Sequence, residues 1–500
     1  MMNGTEQKEN SYGHVLKYTG VFGGVQGLNI LMGLVRNKLV ALLLGPAGMG
    51  LASLYNSVVT FVSQATNLGI SFSAIRHMSE IFDSGDRCRI EGFVATVRAW
   101  SVVAAVIGMV ACVAAAPLLD VYVMGGDGHS PGIMALAPVV AMTALAGGES
   151  AILKGARRLR ALAVMQVFMV AVSLAVSVPV YWMFGMHGII PVIILIAAAN
   201  LAATLHFSLR AYPIGGLRAL ARPGVLSSGA GMVRLGLAFI LAGVFGSGAE
   251  MVVRAYLNSV GGVGAVGLYN AGYVITVTYA GMVFSAMETD YFPRLSAVNH
   301  DTAAVNLAAN RQIEVSLLIV APMLTLMITA LPLLIPLLYS GRFAPVAPMA
   351  QVTVLAMYAK AVTTPVEYIT LAKGHSKAYL ALELAYDVMF AVLVVVCFGR
   401  WGLTGAGVAL LASYAVNTAI VFAYARIRYA YKPSRPVCRY AAVLVPLGFA
   451  AYAATFIGCA WLRVAAGLAA TALSAGVSVY VLQSKTEFME KIRNRLFRRK

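Results

Sequence analysis

A chain of 500 residues that is 60% hydrophobic and only 11% charged, with a mean hydropathy of +0.82, cannot fold as a soluble protein. A globular chain carries about a quarter charged residues, so too few charges are present here to build a water-facing surface. The length therefore counts membrane crossings rather than soluble domains, and the net charge of +18 does not signal nucleic-acid binding, because the basic residues punctuate apolar segments.

The first 17 residues are polar, and the apolar run that begins at Tyr18 lasts about 27 residues. That is too long for a signal-peptide core, so the run is expected to stay in the membrane. A helix needs about 20 apolar residues to cross the hydrocarbon. That window places spans at 18–44, 49–74, 93–116, 133–153, 161–184, 189–210 and 235–258. It continues at 264–287, 312–339, 349–371, 378–399, 405–425, 440–458 and 464–483. The expected fold is an all-α polytopic membrane protein with about fourteen transmembrane helices.

The basic residues orient these spans. With the N-terminus inside, the segments assigned to the cytoplasm hold 29 of the 37 Lys and Arg residues. The opposite loops hold only Arg342, Arg400 and Arg463. Both termini are therefore expected in the cytoplasm, and the basic tail from Lys485 to Lys500 is expected to lie along an anionic membrane face or simply in solvent.

A shift of 217 positions aligns the first six spans with the seventh to twelfth. Gly45 then falls on Gly262, Gly50 on Gly267, Ser79 on Ser296, Gly185 on Gly402 and Asn200 on Asn417. One further position brings Glu149 onto Glu367. Six spans per repeat is an even number, so both halves enter the membrane with the same polarity. The chain divides accordingly into an N-terminal lobe (1–212), a C-terminal lobe (213–430), an extra helix pair (431–484) and a basic tail (485–500). Two pseudo-symmetric six-helix lobes around a cavity are the architecture of a transporter.

Charged side chains at bilayer depth are costly and mark functional sites by default. Gln26, Asn29, Gly33 and Arg36 share one face of the first span, and Asn56, Thr60, Ser63, Asn67 and Ser71 share one of the second. Ser247, Glu250, Arg254 and Asn258 repeat the pattern in the seventh. These faces are expected to line a common lumen, with hydrogen-bonded helix packing as the competing explanation. Arg36, Lys38, Arg98, Arg254 and Lys360 are the embedded cations. An intrahelical pair with Glu250 would neutralise Arg254 without any substrate, and Arg98 lies near enough to a span end to snorkel. Glu250, Glu367, Glu383 and Asp387 are candidates for coupling to H⁺ or Na⁺, with salt bridges as the alternative.

The five cysteines are scattered, no metal-ligand spacing occurs, and the histidines form no catalytic cluster. There is no phosphate-binding loop of the ATPase type. Neither an enzyme nor a bound cofactor is expected.

The stretch from Arg36-Asn37-Lys38 through Gly45-Pro46-Ala47-Gly48-Met49-Gly50-Leu51 resembles the opening of lipid-linked oligosaccharide flippases of the MOP exporter superfamily. Asn67-Leu68-Gly69-Ile70, Arg76-His77-Met78-Ser79-Glu80, Val266-Gly267-Leu268-Tyr269-Asn270, Phe292-Pro293-Arg294-Leu295-Ser296 and Leu338-Tyr339-Ser340-Gly341-Arg342-Phe343 extend the likeness over nearly the whole chain. The resemblance implies a MOP-type fold in a bacterial inner membrane. It implies translocation of an undecaprenyl-pyrophosphate-linked oligosaccharide (an O-antigen, common-antigen or capsule unit) to the periplasmic leaflet by alternating access. A polysaccharide polymerase or chain-length regulator is the kind of protein partner it implies, besides membrane lipids. A lipid II flippase or a multidrug exporter of the same superfamily would share the fold. A membrane polymerase would need a larger outer loop than the roughly 16 residues at 117–132.

Overall fold

The computed structural model describes residues 3–83, 85–213 and 225–485, without the side chains of 3–30, 225–239 and a few isolated positions. Gln26, Asn29, the lobe boundary near 212 and most of the basic tail therefore lie at or beyond the edge of what can be described. All regular structure among the described residues is helical.

In chain order the helices are α1 (Asn3–Thr66), α2 (Ile70–Asp83), α3 (Arg87–Leu119), α4 (Ser130–Ala135), α5 (Ala137–Gly155), α6 (Leu159–Phe184) and α7 (Ile189–Ala211). They continue with α8 (Val225–Tyr273), α9 (Tyr279–Ala297), α10 (Thr302–Leu338), α11 (Ala347–Ala372), α12 (Ser376–Tyr429), α13 (Arg435–Ala454) and α14 (Ala460–Lys485). Ten stretches of described helix are long and apolar enough to cross a bilayer, which makes the chain a multi-pass membrane protein. Four of them run 36, 52, 43 and 54 residues, and each contains a break. The backbone leaves helical geometry at Gly45 in α1, Gly262 in α8 and Gly402 in α12, and a 3₁₀ turn over Gly185–Gly188 separates α6 from α7.

Local chemistry sets the ends. Pro46 follows the break at Gly45 and cannot continue the helical hydrogen bonding there. Asn67 closes α1: its Oδ1 accepts from the Gly69 amide at 2.6 Å, and Leu68 and Gly69 both take positive φ. Asp86 caps α3 by accepting from the amides of Cys88 and Arg89. Ser434 caps α13 on Val437.

The repeat read from the sequence is written into the backbone. Gly45 (φ 65°, ψ −172°) matches Gly262 (72°, 174°), and Gly185 (54°, −129°) matches Gly402 (56°, −139°). These dihedrals are open to glycine and strained for any residue with a Cβ. Gly50 and Gly267, also one repeat apart, meet each other. A Cβ on Gly50 would collide with the Val263 carbonyl oxygen, and one on Gly267 with that of Pro46.

The chain forms two compact units, Met1–Gly267 with Leu338–Ser340, and Leu268–Leu337 with Gly341–Lys500. The first therefore includes the part of α8 that carries Arg254. Its core packs Ile70, Ala74 and Met78 of α2 against Ile90, Val94 and Val97 of α3 and Ala151 and Ile152 of α5. In the second, α11 is the central helix, with Val354, Leu355, Ala356 and Met357 almost wholly buried. Of the cysteines, Cys112 and Cys397 fill packed interior, while Cys88, Cys438 and Cys459 are exposed.

Candidate functional site

The embedded charges fall into distinct environments. In the first unit, Arg36 sits on α1 just before the Gly45 break, within electrostatic reach of Tyr181 on α6. Its Nε is buried and meets no hydrogen-bond acceptor, and no carboxylate among the described residues pairs with it. A guanidinium carries five donors and cannot shed its charge, so an enclosed N–H without an acceptor is costly to keep. Lys38, two positions on, is half-buried.

Arg254 is differently placed. Its Nη1 donates to Glu250 Oε2 at 2.9 Å, the intrahelical pair that the four-residue spacing allows, and its Nε donates to Ser53 Oγ on α1 at 3.1 Å. The Glu250 side chain remains 45% exposed while that of Arg254 is 12% exposed. Asn258, one turn further, is buried and donates to the carbonyls of Val123 and Met124, where it holds a helix end rather than a lumen. On α1, Asn56 and Thr60 are exposed, and their polar atoms bond within their own helix, Asn56 Nδ2 to the Ala52 carbonyl at 2.7 Å. Asn67 contributes to the turn already described. An exposed polar stripe at bilayer depth suits water, not hydrocarbon.

Arg98 does not reach for the membrane surface. It is 8% exposed and forms a two-pronged pair with Glu149 of α5, Nε to Oε1 at 2.7 Å and Nη2 to Oε2 at 3.2 Å. Nη2 also donates to the Tyr212 carbonyl, and Ser208 of α7 donates to Glu149. Three helices are tied by this one buried ion pair, whose partner acid the residue spacing alone did not single out.

The second unit holds an acidic group around α11. Lys360, Thr363 and Glu367 follow one face of the helix at spacings of three and four. Glu367 accepts from Asn417 Nδ2 of α12 at 2.8 Å and lies within electrostatic reach of Glu383, Glu288 and Lys360. Lys360 places its ammonium 5.8 Å from the ring centre of Phe284, a cation–π distance. Glu288, next to the span end expected at 287, accepts from the Tyr368 hydroxyl at 2.8 Å. It also faces a cavity of about 410 Å³ lined by Ser285, Phe292, Pro293, Tyr368 and Leu371. Glu383 and Asp387 are half-buried on α12, and Tyr379 lies in hydrogen-bonding reach of Glu383. The structure thus brings Lys360, Glu367 and Glu383 together and adds Glu288, which spacing had left outside the membrane. No group of three or more His, Cys, Asp or Glu side chains among the described residues is placed to hold a metal ion.

The helical architecture is that of MOP-superfamily transporters. It is similar to the lipid II flippase MurJ in an inward closed conformation, with a TM-score of 0.69 at 11% identity, covering 92% of this chain and 99% of that one. It is also similar to an inward-facing multidrug resistance transporter of the MATE family (TM-score 0.63, 14% identity, 80% of this chain and 94% of the other). A MOP-superfamily transporter from Pyrococcus furiosus, described as having a binding pocket of reverse polarity, matches with a TM-score of 0.55 at 16% identity over 82% of this chain and 93% of its own. No curated protein sequence matches the chain. The family described as polysaccharide biosynthesis protein matches residues 39–348, more than half of the chain, and the protein belongs to that family.

Proposed function

We propose that the protein is a flippase that carries an undecaprenyl-pyrophosphate-linked oligosaccharide from the cytoplasmic to the periplasmic leaflet of a bacterial inner membrane, working by alternating access. In this reading each of the four broken helical stretches crosses twice, which brings the ten apolar stretches to fourteen crossings with both termini in the cytoplasm.

The observation that carries the reading is Arg36. A half-buried arginine whose Nε is enclosed and finds no acceptor among the described residues suits an anion brought in by the substrate. A pyrophosphate brings about two negative charges that cannot enter hydrocarbon unpaired, and Arg meets phosphate oxygens through parallel hydrogen bonds. Arg254, steered by Ser53 and Glu250, and Lys38 are the supporting cations. Asn56 and Thr60 offer the hydrated lining that a sugar requires. Lys360 belongs with the acids of the second unit, where Glu367 and Glu383 are the site for H⁺ or Na⁺ coupling. No residue is assigned a catalytic role. A polymerase or chain-length regulator would receive the product.

Purified protein in liposomes loaded with a defined lipid-linked sugar provides the test. Arg36→Ala should cut flipping by about 100-fold, the loss expected when a charged hydrogen-bond partner of a buried anion is removed. Folding measured by thermal midpoint should hold. Wild-type flipping by Arg36→Ala would remove the residue from the mechanism. A second reading, lipid II as the cargo, is favoured by the share of MurJ that the fold matches, and supplying lipid II in the same liposomes separates the two.

A further inference from the structure

The C-termini of α5 and α11, one repeat apart, close with the same hydrogen bond. The Arg158 amide donates to the Leu153 carbonyl at 2.9 Å, and the His375 amide donates to the Thr370 carbonyl at 3.0 Å. This closure requires a left-handed residue just past the helix, a position that favours glycine. In the second unit that residue is Gly374, with φ 76°; in the first it is Arg157, with φ 52°. An L-residue there is strained, since its Cβ crowds the following carbonyl. The second unit shows that the closure itself needs no side chain at this position.

Arg157 lies in an exposed basic segment. Lys154, Arg157, Arg158 and Arg160 are all exposed, and no acidic residue occurs between 154 and 160. The corresponding stretch of the second unit has Lys373, His375 and Lys377, with Lys373 half-buried and tied to the Asn299 carbonyl. Arg157 Nη2 reaches Ser79 Oγ of α2 at 3.5 Å, beside the exposed Arg76–Glu80 ion pair of that helix, so the cations of the patch are those of the 154–160 segment. This loop lies on the face that the distribution of Lys and Arg assigns to the cytoplasm. Backbone strain kept at an exposed cation, where the repeat offers glycine, points to a use for the side chain.

We propose that Arg157, with Lys154, Arg158 and Arg160, forms a docking site for the diphosphate headgroup of a lipid in the cytoplasmic leaflet, which captures the substrate ahead of Arg36. The proposal rests on the flippase reading and adds to it a separate, surface-exposed step. Four cations without an intervening acid match a headgroup of two linked phosphates, and the planar guanidinium of Arg suits paired oxygens better than an ammonium does.

The test uses the full chain in nanodiscs of phosphatidylcholine, with undecaprenyl diphosphate as the probe. Arg157→Gly should weaken binding about fivefold, the factor one cation contributes near an anionic headgroup, and its thermal midpoint should equal or exceed wild type because the strain is gone. Lys377→Ala, on the matching loop of the second unit, should bind as wild type does. Millimolar inorganic pyrophosphate should displace the probe. Unchanged binding by Arg157→Gly overturns the docking site while leaving the flippase reading in place. So does an equal loss towards nanodiscs of phosphatidylglycerol lacking the probe, which would show a general contact with acidic lipid. Failure of pyrophosphate to compete overturns the assigned chemistry. A wild-type protein that does not bind the probe at all brings down the flippase reading itself.

Discussion

Glu149 and Glu367 stand one repeat apart, each on the helix before the matched Arg157 and Gly374 caps, yet the two units treat them in opposite ways. In the first unit Glu149 is closed in by Arg98, Ser208 and three packed helices. In the second, the position 218 residues after Arg98 is Ser316, which is buried beside Met287. Glu367 is left with a neutral amide donor, Asn417, and with Lys360 at electrostatic range only. The same acid is tied to a buried arginine in one half and to an asparagine amide in the other. Where an embedded acid has a buried cation of its own, its charge is committed to holding helices together. Where it has an amide and neighbouring acids, no buried cation fixes its charge, which is why the flippase reading places ion coupling there.

The contrast breaks most sharply at the tie. Glu149→Ala would leave Arg98 buried and unmatched, and removing one partner of a buried pair costs about 3–5 kcal/mol. Unfolding in detergent, followed by thermal midpoint or by the fraction recovered in the folded peak, should show a collapse that Glu367→Ala does not. Comparable losses in the two variants would mean that the acids do the same work. Glu367→Gln is the next largest effect and is functional rather than structural. It keeps the size and hydrogen-bonding capacity of the side chain while fixing its charge at zero. Stability should change by less than about 1 kcal/mol, within the range for a change at a half-buried polar site. Flipping in liposomes should no longer respond to an imposed proton or sodium gradient. A variant that keeps the full gradient response would exclude Glu367 from coupling.

Much of this was legible in the residues. Composition and apolar windows carry the membrane fold, because the bilayer leaves few ways to satisfy a backbone. The repeat could be found at Gly45, Gly262, Gly185 and Gly402 because their left-handed backbone restricts the choice of residue, and such constraints leave a mark on sequence. The Arg254–Glu250 pair was legible because its partners are one turn apart. The Arg98–Glu149 pair was not, because 51 positions separate them and only packing brings α3 to α5. Asn67 and Asn258 show the converse. Their spacing puts them on polar stripes, but one forms a turn and the other holds the end of a neighbouring helix, since an amide side chain serves a backbone as readily as a solute. Glu288 escaped because it stands one residue beyond a span that only hydropathy defined. Arg157 could not be picked out at all until φ was known.

The smallest effect separates the two asparagines of the repeat. Asn417 donates to Glu367, whereas Asn200, its counterpart on α7, has no described tie to Glu149, whose oxygens are taken by Arg98 and Ser208. Removing a hydrogen bond to a carboxylate that stays in place costs about 1.5–3 kcal/mol when both groups are enclosed, and less where water can substitute. Asn417→Ala should therefore destabilise the fold by about 1 kcal/mol, given the half-buried setting of Glu367. It should also alter the ion gradient needed for half-maximal flipping, because the amide stabilises the charged carboxylate over the neutral one. Asn200→Ala should leave both quantities near wild type. Equal shifts from the two substitutions would show that the amides act only as helix packing, and the division of labour between Glu149 and Glu367 would then need another origin than their immediate partners.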